Sequence, residues 1–163
     1  MNMTYHYQNY LFKKWQPEYR DVTANIIETV LTEYGLPWQA DEADIDVIEV
    51  EKYYLQSNGE FWVVEDTLTH EIIGTGAFYP IDRGENAVEI RKMYILFSHR
   101  GKGLGRFILT QLEEIIKQQG YQQIWIETAS VLKEAVILYE KSDYQPAQGV
   151  ETARCDRVYV KNI

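Results

Sequence analysis

Cysteine is nearly absent: Cys155 stands alone, so no disulfide can form within the chain. A fold without that staple rests on its core, and a reducing compartment, the cytoplasm, is the expected setting. Basic residues are also short, with 16 Lys and Arg against 25 Asp and Glu and a formal net charge of −9. That deficit argues against general nucleic-acid binding, which calls for a basic surface. It suits a cationic or amine ligand, although acidity also serves solubility alone. No apolar run is long enough to cross a membrane, and Met1 to Tyr10 is polar and aromatic, unlike a signal peptide. Of the three histidines, His6 and His70 carry no signal, and no metal site is implied. Internal repeats, linkers and low-complexity segments are missing too. The 163 residues therefore make one domain, 1–163, ample for a single core.

What is present concentrates in Glu89 to Gly105, EIRKMYILFSHRGKGLG. Gly101, Gly103 and Gly105 alternate, with Arg100 and Lys102 among them. Glycine permits close backbone approach and conformations barred to other residues. Leu104, Ile108, Leu112, Ile115 and Ile116 follow at helical spacing. The loop thus brings unpaired N–H groups, a helix N-terminus and positive charge to one point, which is an anion site. In the strand before it, Val88 and Ile90 share one parity, Met93 and Ile95 the other. Such a switch marks either a bulge or a strand buried on both faces.

The remaining pattern gives seven strands and four helices. Tyr5 to Phe12 is read as a strand, Glu18 to Tyr34 as an amphipathic helix ended by Gly35, and Ile45 to Tyr54 as a shorter helix. Strands at Glu60 to Glu65, Ile72 to Ile81 and Ala87 to Leu96 form a meander, and Gly74 and Gly76 imply close approach or a bend. The glycine loop opens a helix to about Gln119. Gln122 to Thr128 is the next strand, parallel to the one before the loop because a helix connects them. A helix over Val131 to Lys141 and antiparallel strands over Tyr144 to Val150 and Arg154 to Val160 close the chain. The fold class is α/β in the α+β sense, a mixed and mostly antiparallel sheet.

A dinucleotide-binding unit also places a glycine loop between strand and helix, with an acid, here Glu127, on the second strand. Arg106, however, occupies the place of the third glycine in G-x-G-x-x-G, and the unit comes too late for a doubly wound sheet. The P-loop pattern G-x-x-x-x-G-K-[ST] is absent.

Arg100-Gly101-Lys102-Gly103-Leu104-Gly105 fits Arg/Gln-x-x-Gly-x-Gly/Ala, and here the chain resembles the GNAT superfamily of N-acetyltransferases. The resemblance extends to Glu127 to Tyr144 and, in outline, to nearly the whole chain. It implies a twisted sheet whose central parallel pair is splayed by a bulge, and acetyl-CoA as acetyl-donor cosubstrate. It places the pyrophosphate on Arg100, Gly101, Lys102, Gly103, Leu104, Gly105 and Arg106, and the pantetheine arm on the backbone of Met93, Tyr94 and Ile95. In Ala135-Val136-Ile137-Leu138-Tyr139-Glu140-Lys141 it makes Tyr139 the acid that protonates the leaving thiolate. The bland alternative is a core tyrosine bonded to a carbonyl.

Glu89 is the candidate base, since burial beside an apolar sheet would raise its pKa. The alternative is an edge charge or a partner for Arg91. Glu127 is a lesser candidate, His99 more plausibly serves phosphates or solvent, and Cys155 reads as structural. Two residues depart from the family's pattern: Leu132 stands where Asn is common, and Phe97 where Pro is common.

The expected reaction is direct attack of a primary amine on acetyl-CoA in a ternary complex. The acceptor, a small molecule or a protein amine, would sit among the first two helices and the loops at Trp38 to Asp46 and Asp82 to Asn86. Trp38, Asp41, Glu42, Asp44, Tyr53 and Tyr54 suit a cation there, as they would a solvated acidic face. A homodimer through the last strands is a family-level expectation. The competing class is an acyl-CoA sensor or interaction domain that keeps the loop and dispenses with base and acid.

Overall fold

The computed structural model describes residues 3–163. A hairpin of β1 (Thr4–Tyr7) and β2 (Tyr10–Lys14) leads into helix α1 (Arg20–Glu33) and two short helices, α2 (Ile45–Ile48) and α3 (Val50–Tyr53). The strands β3 (Glu60–Asp66), β4 (Glu71–Ile81) and β5 (Ala87–Ile95) form the meander. Then come α4 (Leu104–Gln118), β6 (Gln123–Thr128), α5 (Lys133–Lys141), β7 (Gln145–Pro146) and β8 (Arg157–Asn162). The sheet order is β1-β2-β3-β4-β5-β6-β8-β7, with β5 and β6 the parallel pair and every other pairing antiparallel.

Helices cover both faces. Ile108, Leu112 and Ile116 of α4 and Tyr139 of α5 pack on one side against Phe12, Trp62 and Val88. Ile26, Ile27 and Leu31 of α1, with Val47 and Val50, pack on the other against Phe61, Val63 and Ala77. Strand β3 is therefore apolar at every position from Phe61 to Val64, because both its faces are core.

Three elements differ from the sequence reading. The first strand is a two-strand hairpin, because Gln8 takes φ 53 and turns the chain without a glycine. The second helix breaks at Glu49, whose φ −112 and ψ 56 are not helical. The strand expected over Tyr144 to Val150 shrinks to Gln145–Pro146; proline offers no N–H, and Gly149 turns away at φ 93. Among the described residues the sheet thus has eight strands rather than seven, with five α-helices, two of them a single turn.

The parity switch is a bulge. Ala77 pairs with Arg91 and Thr75 with Tyr94, so Gly76 alone faces Lys92 and Met93. Lys92 carries the distortion at φ 55, and the Thr75 hydroxyl donates to its carbonyl at 2.6 Å. The space opposite it is tight: a Cβ on Gly76 would lie 3.0 Å from Ile108 and 3.2 Å from Leu112 and would press on α4. Strands β5 and β6 stay paired only from Ala87 to Ile90. Beyond that point β5 follows β4 while β6 follows β8, and a gap opens between them.

Candidate active site

The glycine loop closes one end of this gap. Gly101 and Gly103 take φ 76 and 81, and the Phe107 N–H donates to Gly103 at 3.1 Å. The preceding amides of the first turn, on Leu104, Gly105 and Arg106, have no acceptor within α4. The Tyr7 hydroxyl donates to the Lys102 carbonyl at 2.6 Å and holds the loop from the β1 side. A cleft of about 190 Å³ runs from the loop along β5 to α5, lined by Met93, Ile95, Gly103, Leu132 and Tyr139. Leu96 donates its N–H to Ile73 on β4 at 3.0 Å. By strand alternation Tyr94 also faces β4, while Met93 and Ile95 turn their backbone groups into the gap.

The basic side chains of the loop divide. Arg100 forks onto Glu33 at 2.6 and 2.9 Å, donates to Tyr34 at 3.0 Å and to the Ile95 carbonyl at 2.8 Å. It therefore ties the loop to the end of α1. The Tyr34 hydroxyl donates in turn to Glu134 on α5 at 2.9 Å. Lys102 reaches the Tyr10 hydroxyl at 3.3 Å, which also bonds His99 Nδ1 at 2.8 Å, and Arg106 is exposed on the first turn of α4.

Deeper in, the cleft shares Tyr94 and Leu132 with a small cavity bounded by Glu89, Arg91, Glu127 and Cys155. That cavity shares Arg91 and Thr152 with a third space of about 430 Å³, walled by Tyr53, Tyr54 and Tyr79. The three spaces thus follow one another along β5.

Glu89 lines the middle one of the three. Burial pushes its pKa up to about 7, against the opposing pull of Arg91, whose Nε stands 3.6 Å from Glu89 Oε2. Burial likewise raises the Tyr139 hydroxyl above its ordinary value and keeps it protonated; no hydrogen bond engages it among the described residues. Glu127 differs. Against the upward push of burial, the amides of Glu151 and Thr152 and the Arg83 guanidinium hold its pKa down. It anchors the segment before β8, with its oxygens occupied by those donors. The Cys155 thiol is pushed up to about 11, chiefly by burial, and is not a ready nucleophile.

The acid cluster before α3 is arranged differently from the sequence reading. Asp44 is fully buried and neutralised by Lys92 at 2.7 Å and by both arms of Arg154 at 2.6 Å. Tyr54 is buried and donates to Asp46. Trp38 packs on the α1-side core, and the loop at Asp82 to Asn86 sends Arg83 to Glu127 and to the Gln148 and Gly149 carbonyls. Of the expected acceptor residues, Glu42, Tyr53 and Tyr54 reach the third space. Lys92 and Arg154 were missed. The one available signal was a lysine inside the strand where the parity switches.

A match to the Acetyltransferase (GNAT) family spans residues 24–144. The chain belongs to that family, and acetyl transfer is its reaction class. It is 35% identical over 127 residues to the uncharacterized N-acetyltransferase YjgM of Escherichia coli K12, covering 75% of this chain and 74% of that one. It spans about half the length of rat N-acetyltransferase 8F1, 52%, at 26% identity and over 68% of this chain. An acetyltransferase of the GNAT family from Staphylococcus aureus Mu50 superposes with a TM-score of 0.86 at 19% identity, over 94% of this chain and 98% of that one. Spermidine N-acetyltransferase from Vibrio cholerae, solved with CoA and spermine, superposes at 0.71 and 15% identity, over 96% of each chain.

Proposed function

We propose that the protein transfers the acetyl group of acetyl-CoA to a primary amine held in the third space. The observation that carries this is the gap between β5 and β6, with unpaired loop amides at one end and Glu89 and Tyr139 beside it. The residues present fit the donor. The first-turn amides of α4 and the Gly101–Gly103 loop suit a pyrophosphate by hydrogen bonding and helix dipole. The backbone of Met93 and Ile95 suits an amide-bearing arm laid along the gap. Among the described residues Lys102 and Arg106 pair with no carboxylate and are the cations for phosphates, whereas Arg100 is spent on Glu33 and supports the loop. When bound, acetyl-CoA supplies an acyl group already activated as a thioester.

In this reading Glu89 takes one proton from the acceptor ammonium and passes it to water. The freed nitrogen forms the C–N bond as the C–S bond breaks. Tyr139 protonates the leaving sulfur and is restored by the second proton shed from nitrogen as the amide forms. The apolar walls at Met93, Ile95 and Leu132 keep water from competing. No helix among the described residues is long and apolar enough to cross a membrane, and the reading places the enzyme in the cytoplasm. Pairing of two copies through the terminal strands belongs to the same reading.

Calorimetric titration with acetyl-CoA, CoA and NADH tests the donor. Binding of the first two alone is expected; binding of NADH alone would overturn the assignment.

A further inference from the structure

The acceptor's chemistry is written in the pair Glu89 and Arg91, two positions apart on β5 and so on one face. Their charged atoms stand 3.6 Å apart, beyond a hydrogen bond. Among the described residues the Glu89 carboxylate accepts no hydrogen bond, and Arg91 makes one, to the Tyr79 hydroxyl at 3.0 Å. The nearest other carboxylate, Asp46, is 4.0 Å from Arg91 Nε and is engaged by Tyr54. Of the neighbouring cations, Lys92 is shared by Asp44 at 2.7 Å and Asp46 at 3.4 Å, and Arg154 is spent on Asp44. Arg91 is thus a planar fork with idle donors, walling both the cavity that holds Glu89 and the third space.

Resting on the acetyl-transfer reading, we infer that the acceptor is a free α-amino carboxylate, its ammonium on Glu89 and its carboxylate on Arg91. A zwitterion inserted into this loose ion pair meets an opposite charge at each end. An amine without a carboxylate would bring its ammonium beside Arg91 uncompensated, a like-charge contact in a poorly solvated place. The guanidinium fork matches a carboxylate in two parallel bonds. The acceptor's side chain then extends into the space of about 430 Å³, between Tyr53 and Tyr79. The acids Glu42 and Glu151 stand exposed at the rim, the buried Asp46 is held by Tyr54 deeper in, and Arg91 is the one cation among the residues lining the space.

The test uses the full chain, acetyl-CoA and release of the CoA thiol. Each proteinogenic L-amino acid is compared with its carboxamide and with the amine lacking its carboxylate. At least one free amino acid should be acetylated with kcat/KM about 100-fold above both partners, as expected for losing a charged, bidentate contact. Arg91→Gln should bring that ratio to within a few-fold while acetyl-CoA affinity by calorimetry changes less than about twofold. Carboxylate-free amines used as well or better, carboxamides used equally, or no amino acid used at all, each overturn the inference. If Arg91→Gln does not fold, the wild-type ratio alone decides. Loss of acetyl-CoA binding in the wild type brings down the underlying reading; intact binding with the wrong acceptor preference brings down this inference only.

Discussion

Replacing Glu89 with glutamine should stabilise the protein, and by an amount that depends on pH. Glu89 is 8% exposed, and burial lifts its pKa from 4.5 to about 7. The folded state therefore holds this proton more tightly than the unfolded chain. The sign follows from linkage: the group's contribution is fully present below the unfolded pKa and is lost as pH rises through the folded one. A tenfold change in proton affinity corresponds to about 1.4 kcal/mol, so the full penalty of ionising Glu89 is about 3 kcal/mol. Between about pH 5.5 and about pH 8 the wild type should lose about 2 kcal/mol relative to Glu89→Gln.

Denaturant titrations of both proteins at the two pH values read this directly. In melting temperature the divergence is roughly 4 to 8 °C for a chain of this size. A difference between the two proteins that stays constant within about 0.5 kcal/mol across that range would show that Glu89 titrates normally, and would remove the physical case for it as base. The same substitution should cut turnover by about 100-fold or more and abolish the rise in kcat/KM as pH passes through about 7. A variant more stable yet nearly inactive is the signature of a destabilised catalytic group.

Tyr139→Phe should lower turnover by about tenfold or more with little change in acetyl-CoA affinity; a large affinity loss with unchanged turnover would count against the acid role. Gly103→Val should weaken acetyl-CoA binding at least about tenfold, because φ is 81 there and a Cβ would stand 2.5 Å from the Tyr7 hydroxyl; normal binding by calorimetry would remove the phosphate assignment. Lys92→Met should cost about 3 to 5 kcal/mol in a denaturant titration, since it removes the buried cation shared by Asp44 and Asp46. A loss under about 1 kcal/mol would mean that Arg154 on Asp44 and Tyr54 on Asp46 suffice without it.

The parts of this fold carried by local rules were legible in the chain. Gly101 and Gly103 do occupy the left-handed region, and the helix after them starts at Leu104, where the apolar spacing begins. The parity switch from Ile90 to Met93 did encode a bulge, though parity alone left a doubly buried strand equally open. What stayed hidden depends on partners distant in sequence. Asp44 looks like one more surface acid until Arg154, 110 positions away, is folded onto it. The bond from Arg100 to Glu33, 67 positions away, is equally invisible in the glycine-loop motif. The turn at Gln8 and the break at Glu49 use residues with no strong local preference for what they do, and tertiary packing decides them.

The cleft at the glycine loop and the tyrosine-walled space share no wall residue, and the small cavity at Glu89 lies between them along β5. Each therefore has its own doorway. Neither ligand has to leave for the other to enter, and the first to arrive does not block the second. Initial-rate lines should intersect as for a sequential mechanism, product should form on mixing both ligands without a half-reaction, and saturating acceptor should leave donor access unimpaired.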